Sequence, residues 1–204
     1  MRILMAFMST FLMACTLFGQ LPTPEQQINA AVKAAPEDQR DGAEVLGYEE
    51  NSDGLVTLRE GENETICLAD DPESDGFQVV CYHESLDPYM ARGRELRRQG
   101  VDNAREIREE EARNGEISLP EKAASLYSLN GGPDAYDYAA NTIRKAKRLY
   151  VLYIPYATTE STGFPTSSPQ SGAPWLMREG EPSAHVMIPF AEPIGSEVAD
   201  QGGK

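Results

Sequence analysis

The segment 64–84, with sequence ETICLADDPESDGFQVVCYHE, constrains the fold more than any other part of the chain. Two short apolar runs flank an acidic turn, and each run carries one cysteine. Folding the segment about Ser74 places Cys67 opposite Cys81, and the same register aligns the apolar residues of both runs. A disulfide is sterically feasible between such partners when they form a non-hydrogen-bonded pair. The sequence therefore predicts a β-hairpin closed by a disulfide between these two cysteines.

A second hairpin is predicted directly before the first, in residues 43–60. Apolar residues alternate there on both sides of the turn-rich segment 51–54, which contains the hairpin-favouring Asp-Gly pair. Folding about Ser52 sets Leu46 opposite Leu58 and Tyr48 opposite Val56. Together the two hairpins predict a four-stranded antiparallel meander that runs from Ala43 to His83.

The first twenty residues are typical of an export signal. Arg2 precedes an apolar run at 3–13 that is too short to span a bilayer but matches a signal-peptide core. We expect residues 1–19 to be a signal peptide and the mature protein to be extracytoplasmic, in the periplasm or the cell envelope. The segment 12–15, Leu-Met-Ala-Cys, resembles the lipobox of bacterial lipoproteins, which would end the signal at Ala14 and place a lipid on Cys15.

The cysteine count agrees with lipidation. The chain has three cysteines, so modifying Cys15 leaves an even pair, Cys67 and Cys81, for an oxidising compartment. The alternative is an ordinary signal peptide in which Cys15 is an apolar residue that is discarded. No later run is apolar enough for a membrane helix, so membrane contact is expected only through a lipid anchor at Cys15.

Helix signals divide the remaining chain. Residues 20–42 are predicted to form a tether and a short helix, because Thr23 and Pro24 open a capping pattern. A longer amphipathic helix is predicted to start at Asp87, to bend or break at Gly100 and to end at 114–115. Its stripe is rich in small residues, so we expect it to lie against the meander.

The patterns of the C-terminal half fit more than one type of secondary structure. Residues 117–129 are compatible with a helical turn or a strand, and 133–147 carry a weak helical stripe. Strands are expected at 149–156 and 184–190, next to each other. The resulting expectation is one α+β domain at 43–190, with the meander, two C-terminal strands and an amphipathic helix packed on the antiparallel sheet. A polar tail, 191–204, follows it.

Charge excludes one class of partner. Eighteen basic and thirty-three acidic residues give a formal charge of -15, which repels the phosphate backbone of nucleic acids. The acidity serves solubility or forms a surface for cations or a basic partner.

The acidic turn 71–76 is similar to the first half of a calcium loop, but Tyr82 occupies the position of the bidentate glutamate, which favours an ordinary turn.

A basic cluster stands out in this acidic chain. Arginine side chains of this kind bind carboxylates or phosphates in a bidentate manner. The glutamates between them favour the other interpretation, a helix face with ion pairs within itself and to neighbouring acids. The cluster consists of Arg92, Arg94, Arg97 and Arg98.

The loop 157–174 is the best candidate for a binding site, because it is long and lies beside aromatic residues and one of only two histidines. A catalytic Ser, His and carboxylate set, or a metal site, would have to use the same region, but no spacing signature supports either. No catalytic residue, metal ligand or cofactor is predicted. The alternative is that Trp175 and Phe164 only fix the loop to the core. The candidate binding residues are His185, Glu160, Ser161, Trp175, Tyr153 and Tyr156.

The chain resembles uncharacterised exported bacterial proteins in the segments 82–96, 153–158 and 184–188. This resemblance implies no activity. We therefore expect an exported, lipid-anchored, non-enzymatic protein that binds an unknown ligand or associates with the envelope. The alternative is a small hydrolase or metal-dependent enzyme with a site around His185 and the loop 157–174.

Overall fold

The computed structural model describes residues 21–168 and 172–195. The predicted signal peptide, Cys15 and most of the predicted tail lie outside the described residues. The helices are α1 (Pro24–Ala31), α2 (Asp87–Arg98), α3 (Ala104–Arg113) and α4 (Thr159–Thr162), with 3-10 turns at Val32–Ala34, Glu37–Gln39 and Glu84–Leu86. The strands are β1 (Glu44–Gly47), β2 (Val56–Arg59), β3 (Thr65–Leu68), β4 (Phe77–His83), β5 (Ala124–Gly131), β6 (Tyr136–Asp137), β7 (Thr142–Ile143), β8 (Lys147–Tyr153), β9 (Trp175–Met177) and β10 (His185–Pro189).

Eight of these strands form one mostly antiparallel sheet in the order β2-β1-β3-β4-β5-β8-β10-β9, and β6 pairs with β7 separately. Mixed α and β content around an antiparallel sheet agrees with the sequence prediction. The predicted arrangement of four N-terminal strands plus two C-terminal strands is wrong. Strand β5 hydrogen-bonds to β4 on one side and to β8 on the other, so the two halves are one continuous sheet.

The meander is also wrong in its order, because β1 pairs with β3 in parallel and β2 lies outside it at the sheet edge. The short connection between β2 and β3 crosses the start of β1. The Gly42 carbonyl accepts hydrogen bonds from the amides of Glu62 and Asn63, at 2.7 and 3.0 Å. Gly61 passes so close to Glu44 that a Cβ atom would lie 3.2 Å from its backbone nitrogen. Glycine thus permits the tight crossover that the alternating pattern did not reveal.

The predicted register of β1 and β2 is likewise wrong. Leu46 faces Thr57, and Gly47 faces Val56, because an irregularity between Val45 and Leu46 shifts the pairing. A bulge of this kind adds one residue to one strand and moves every later pair. Tyr48 consequently lies beyond the end of β1, in the loop that follows it.

The β3–β4 hairpin confirms the prediction made from the cysteines. Cys67 faces Cys81, and the two form a disulfide that is fully buried. The Cys81 Sγ atom lies 3.3 Å from the Ala31 carbonyl oxygen of α1, so this helix covers the disulfide. The disulfide is compatible with an extracytoplasmic location. Among the described residues, no helix is long and apolar enough to cross a membrane.

One face of the sheet, which we call the α1 face, is covered by α1 and the turn that follows it. Thr23 forms the predicted capping box with Gln26. Four alanines of this segment are at most 3% exposed and pack on the strands: Ala30, Ala31, Ala34 and Ala35. Small side chains allow the helix to approach the sheet closely.

The opposite face, which we call the α2 face, is covered by α2 and α3. Leu86 and Met90 pack with Ile66 and Tyr82 of the sheet, which agrees with the predicted placement of the amphipathic helix. Gly100 adopts a φ of +74° between α2 and α3 and separates them, as the sequence indicated. A left-handed conformation is least costly for glycine.

Residues 117–147 resolve into strands. The weak helical stripe at 133–147 was misleading, since β6 and β7 form a hairpin there. The Asp137 carboxylate accepts hydrogen bonds from the amides of Ala139 and Ala140 and shapes the turn, at 3.0 and 2.9 Å. Tyr136 stacks on Phe77 of the sheet with ring centroids 5.2 Å apart. Burial of this ring outweighs helix propensity.

Strands β8 and β10 are neighbours, as predicted. The first residues of the predicted polar tail also return to the fold. Ile194 and Ala146 exchange two backbone hydrogen bonds of 2.8 and 3.0 Å.

Candidate functional site

The structure brings three of the six predicted site residues onto one face of the sheet. Tyr153 of β8 pairs with His185 of β10, and their rings stack with centroids 4.9 Å apart. Trp175 lies on β9 in the register that places it on this same face. The His185 Nδ1 atom is 2.7 Å from the Ser183 carbonyl oxygen, and burial lowers the pKa of the imidazole.

Glu160 and Ser161 lie elsewhere, on the short exposed helix α4. The Ser161 Oγ atom accepts a hydrogen bond from the Thr158 amide at 2.9 Å, so its contact is a helix cap. Phe164 follows α4 and packs on Leu176 and Val186, whose side chains point to the α1 face. Within the described residues, no hydrogen bond joins His185 to Glu160 or Ser161. The contact of Phe164 agrees with its predicted role in fixing the loop to the core.

Tyr156 is the sixth predicted residue. Its side chain is 48% exposed, and its backbone has a φ of 61°. Trp175 and Met177 line a shallow recess of about 400 Å³ together with Arg178. Tyr156 does not line this recess, and the recess is open to solvent. Tyr153 and His185 thus form a half-buried aromatic and imidazole pair, and Trp175 of the same face lines a small surface depression.

The other histidine is separate from this region. His83 Nδ1 lies 2.9 Å from the Ser85 hydroxyl, and its Nε2 lies 3.3 Å from the Glu64 carboxylate. Residues 21–168 and 172–195 contain no group of three or more histidine, cysteine, aspartate or glutamate side chains that could hold a metal ion.

A second and larger concave feature than the recess beside Trp175 lies at the other end of the α2 face. It is a groove of about 1040 Å³ between the C-terminal half of α2 and two loops, 48–55 and 69–73. Its apolar part consists of Leu46, Leu55 and Leu68, and Leu21 lies at its border. This volume is at the upper end of the range of pockets that hold small ligands, about 300–1000 Å³.

The loop 48–55 is held in place by a buried amide. Gln27 of α1 is 3% exposed, and its side-chain amide bonds to both the amide and the carbonyl of Tyr48. Its Oε1 atom accepts from the Tyr48 amide, and its Nε2 atom donates to the Tyr48 carbonyl, both at 2.8 Å. Ser52 Oγ donates to the Gly54 carbonyl at 2.9 Å and closes the loop tip. The groove wall is therefore fixed from the opposite side of the sheet.

The second loop carries the acidic turn. Asp70 accepts from the Gln78 amide at 2.7 Å and from the Tyr138 hydroxyl at 3.1 Å, which ties the base of the turn to the sheet. Asp71 accepts from the Glu73 amide at 3.0 Å. Burial, together with the negative charges of Asp71, Asp70 and Glu73, raises the pKa of Tyr48 to about 12. This side of the groove is electronegative.

Three arginines of the cluster, Arg94, Arg97 and Arg98, line the groove on α2, and three of the four members of the cluster are paired with acids. Arg92 binds Glu95 and Glu111, at 2.8 and 2.6 Å, on the outer side of the helix. Arg94 donates to the Tyr82 hydroxyl at 2.7 Å and to Asp87 at 3.0 Å.

The two remaining arginines line the groove and differ in their contacts. Arg98 binds Asp53 at 2.7 Å and joins α2 to the loop 48–55. The Arg97 side chain has no hydrogen bond or ion pair within the part of the chain that the structure describes. Burial lowers the pKa of Arg97, and the positive charges of Arg108 and Arg94 lower it further. An anion bound beside Arg97 would relieve this repulsion.

Sequence reasoning found the arginines but not the groove. The signal that was present is the arginine cluster facing the acidic turn. This signal did not reveal the groove, because the predicted meander and the predicted β1–β2 register placed Tyr48 inside a strand.

No family model, no curated protein and no solved structure matches the chain.

Proposed function

We propose that this chain is an exported binding protein of the cell envelope, anchored by a lipid on Cys15, and that it binds its ligand in the groove between α2 and the loops 48–55 and 69–73. The observation that carries the proposal is the groove itself: a recess of about 1040 Å³ with an apolar floor and charged side chains at its walls. Concave sites of this size with few oriented polar groups are the usual form of ligand sites.

The proposal is for binding without catalysis. The groove contains no histidine, cysteine or serine beside a base among its described lining residues apart from Ser52, and the Ser52 hydroxyl is used to close the loop tip. A nucleophile requires a base within hydrogen-bond reach. The arrangement favours recognition by charge and shape.

A thermal-shift panel tests the groove. The purified protein is heated with amino acids, short peptides, sugars and divalent metal salts, because a ligand that binds only the folded state raises the melting temperature. We expect at least one compound to raise it in the wild type. Leu55→Trp fills the groove and should abolish the shift, whereas Ile117→Trp, a change at another half-buried loop residue, should keep it.

Two results contradict the groove proposal. One is a panel in which no compound stabilises the protein, and the other is a shift that Leu55→Trp leaves unchanged. The melting temperatures of both variants without ligand show that each is folded.

The anchor is tested separately by the intact mass of protein from the membrane fraction. The expected mass is that of a chain beginning at Cys15 with lipid attached, and Cys15→Ser should release the protein from the membrane fraction. A mass without lipid, for a chain beginning after Ala14 or elsewhere, contradicts the anchor but leaves the groove proposal standing.

A further inference from the structure

The charged side chains of the groove separate into those that are already paired and those that are free. Arg94 and Arg98 are paired with Asp87 and Asp53. The Arg97 guanidinium has neither a hydrogen bond nor an ion pair among the described residues, so a positive charge on the α2 wall is available to a ligand.

The opposite wall carries free negative charge. The carboxylates of Glu49 and Glu73 line the groove and have no ion pair or hydrogen bond in residues 21–168 and 172–195. The Asp71 carboxylate accepts only the nearby Glu73 amide. Tyr48 lies beside these acids and presents an aromatic ring, and a ring next to carboxylates is a favourable environment for an ammonium group.

The free positive charge and the free negative charges lie on different elements, and apolar side chains also line the groove. A ligand that carries only negative charge would be repelled at the loop wall, and a ligand that carries only positive charge would be repelled at Arg97. An uncharged ligand would leave both walls unpaired. A ligand with an ammonium group at one end, a carboxylate at the other and apolar groups between them matches all three features.

The size of the groove then separates an amino acid from a longer zwitterion. A space of about 1040 Å³ is at the upper limit for a drug-sized ligand. A single amino acid would fill only a small part of it. Building on the proposed function, we infer that the ligand is a short peptide with free ends, whose carboxylate binds Arg97 and whose ammonium group binds between Tyr48 and the acids Asp71 and Glu73.

Calorimetric titration with four forms of one tetrapeptide tests this inference. The probes are Ala-Leu-Leu-Ala with free ends, the N-acetylated form, the C-amidated form and the form with both ends blocked. Hydrogen bonds to charged groups are strong enough that blocking either end should weaken binding about tenfold or more. Blocking both ends should abolish measurable binding.

Matched variants assign each end to its wall. Arg97→Gln should remove the difference between the carboxylate and amide forms while keeping the difference caused by acetylation. Asp71→Asn combined with Glu73→Gln should do the reverse. Arg105→Gln, a change at an exposed arginine of α3, is the control and should bind all four peptides as the wild type does.

The outcomes separate this inference from the proposed function. If the four peptides bind equally well, or if none binds while another compound of the thermal-shift panel does, the peptide inference is overturned and the groove proposal stands. If peptides and panel both fail, both are overturned. If end-group dependence appears but is unaffected by Arg97→Gln and by the acidic double variant, peptides bind outside the groove, which also overturns the inference.

Discussion

The two faces of the sheet are covered by helices in opposite ways. On the α1 face, alanines of α1 lie directly on the strands, and the Cys67–Cys81 disulfide is buried beneath them. On the α2 face, long arginine and tyrosine side chains join the helices to each other and to the sheet. Arg108 lies over the Tyr89 ring at 4.1 Å, and Arg94 bonds to Tyr82.

This difference explains where the groove lies. Alanines bring α1 close to the strands, whereas charged side chains of the C-terminal half of α2 line the groove opposite the loops. The α1 face thus contributes mainly to stability. The α2 face presents charged groups to the groove. Substitutions on either face, or at the contact between the two faces, therefore test this difference.

The largest effect is expected on the α1 face from replacing both Cys67 and Cys81 with alanine. The two cysteines are 14 residues apart, and a loop of this size corresponds to about 3 kcal/mol of stabilisation in the chain-entropy model. Urea unfolding should show this loss of unfolding free energy. A loss below about 1 kcal/mol would contradict the role of the disulfide as the fixed centre of this face.

The second effect couples the two faces. Gln27→Leu keeps the volume of the side chain but leaves the Tyr48 amide and carbonyl without their partners. An unpaired buried polar group costs about 1–3 kcal/mol, so the free energy of unfolding should fall by at least about 1 kcal/mol. Peptide affinity should fall as well, because Tyr48 lines the groove.

Gln99→Leu is the control for this prediction, since Gln99 is exposed and bonds only to Glu95 at 3.1 Å within the described chain. The control should change neither stability nor affinity appreciably. A Gln27 variant that loses stability while its peptide affinity stays at the wild-type value would break the proposed link between α1 and the groove.

A smaller effect is expected on the α2 face from Ser183→Ala. Glu109 of α3 is 6% exposed, and the Ser183 hydroxyl donates a hydrogen bond to its carboxylate. Arg113 remains as a partner at 3.5 Å, so the loss should be about 1–2 kcal/mol. Ser161→Ala, at the exposed cap of α4, should cost less in the same urea measurement, and the opposite ranking would contradict the buried role of Ser183.

The smallest effect is a pH dependence at His185. Burial lowers the pKa of this imidazole from 6.5, so the folded state binds its proton less readily than the unfolded state. The contribution to stability is present above pH 6.5 and is lost as the pH falls below it. His185→Gln should flatten unfolding free energy between about pH 5 and 7 relative to the wild type. Identical pH profiles would show that this imidazole is not buried in solution.

The sequence predicted those parts of the fold in which two signals agreed. The cysteine pair and the apolar pattern gave the β3–β4 register, and Thr23 with Gln26 gave the start of α1. The parallel β1–β3 pair was missed because the crossover depends on Gly42 and Gly61, whose backbone contacts leave no periodic pattern.

The groove was missed for a similar reason. His185 and Trp175 stand out in a sequence because their residue types are rare here, but rarity does not indicate a recess. The groove is made by Arg97, Tyr48 and Glu73, three residues from separate elements, which come together only through the strand order. Long-range topology of this kind cannot be derived from local patterns.

Hydrogen exchange of the protein with and without free-ended Ala-Leu-Leu-Ala tests most directly whether the α2 face, and not the α1 face, carries the function. The account predicts slower exchange in residues 48–55, 69–73 and the last turns of α2, with α1 unchanged. Slower exchange confined to residues 175–181, or no change at any amide at a saturating peptide concentration, would contradict it.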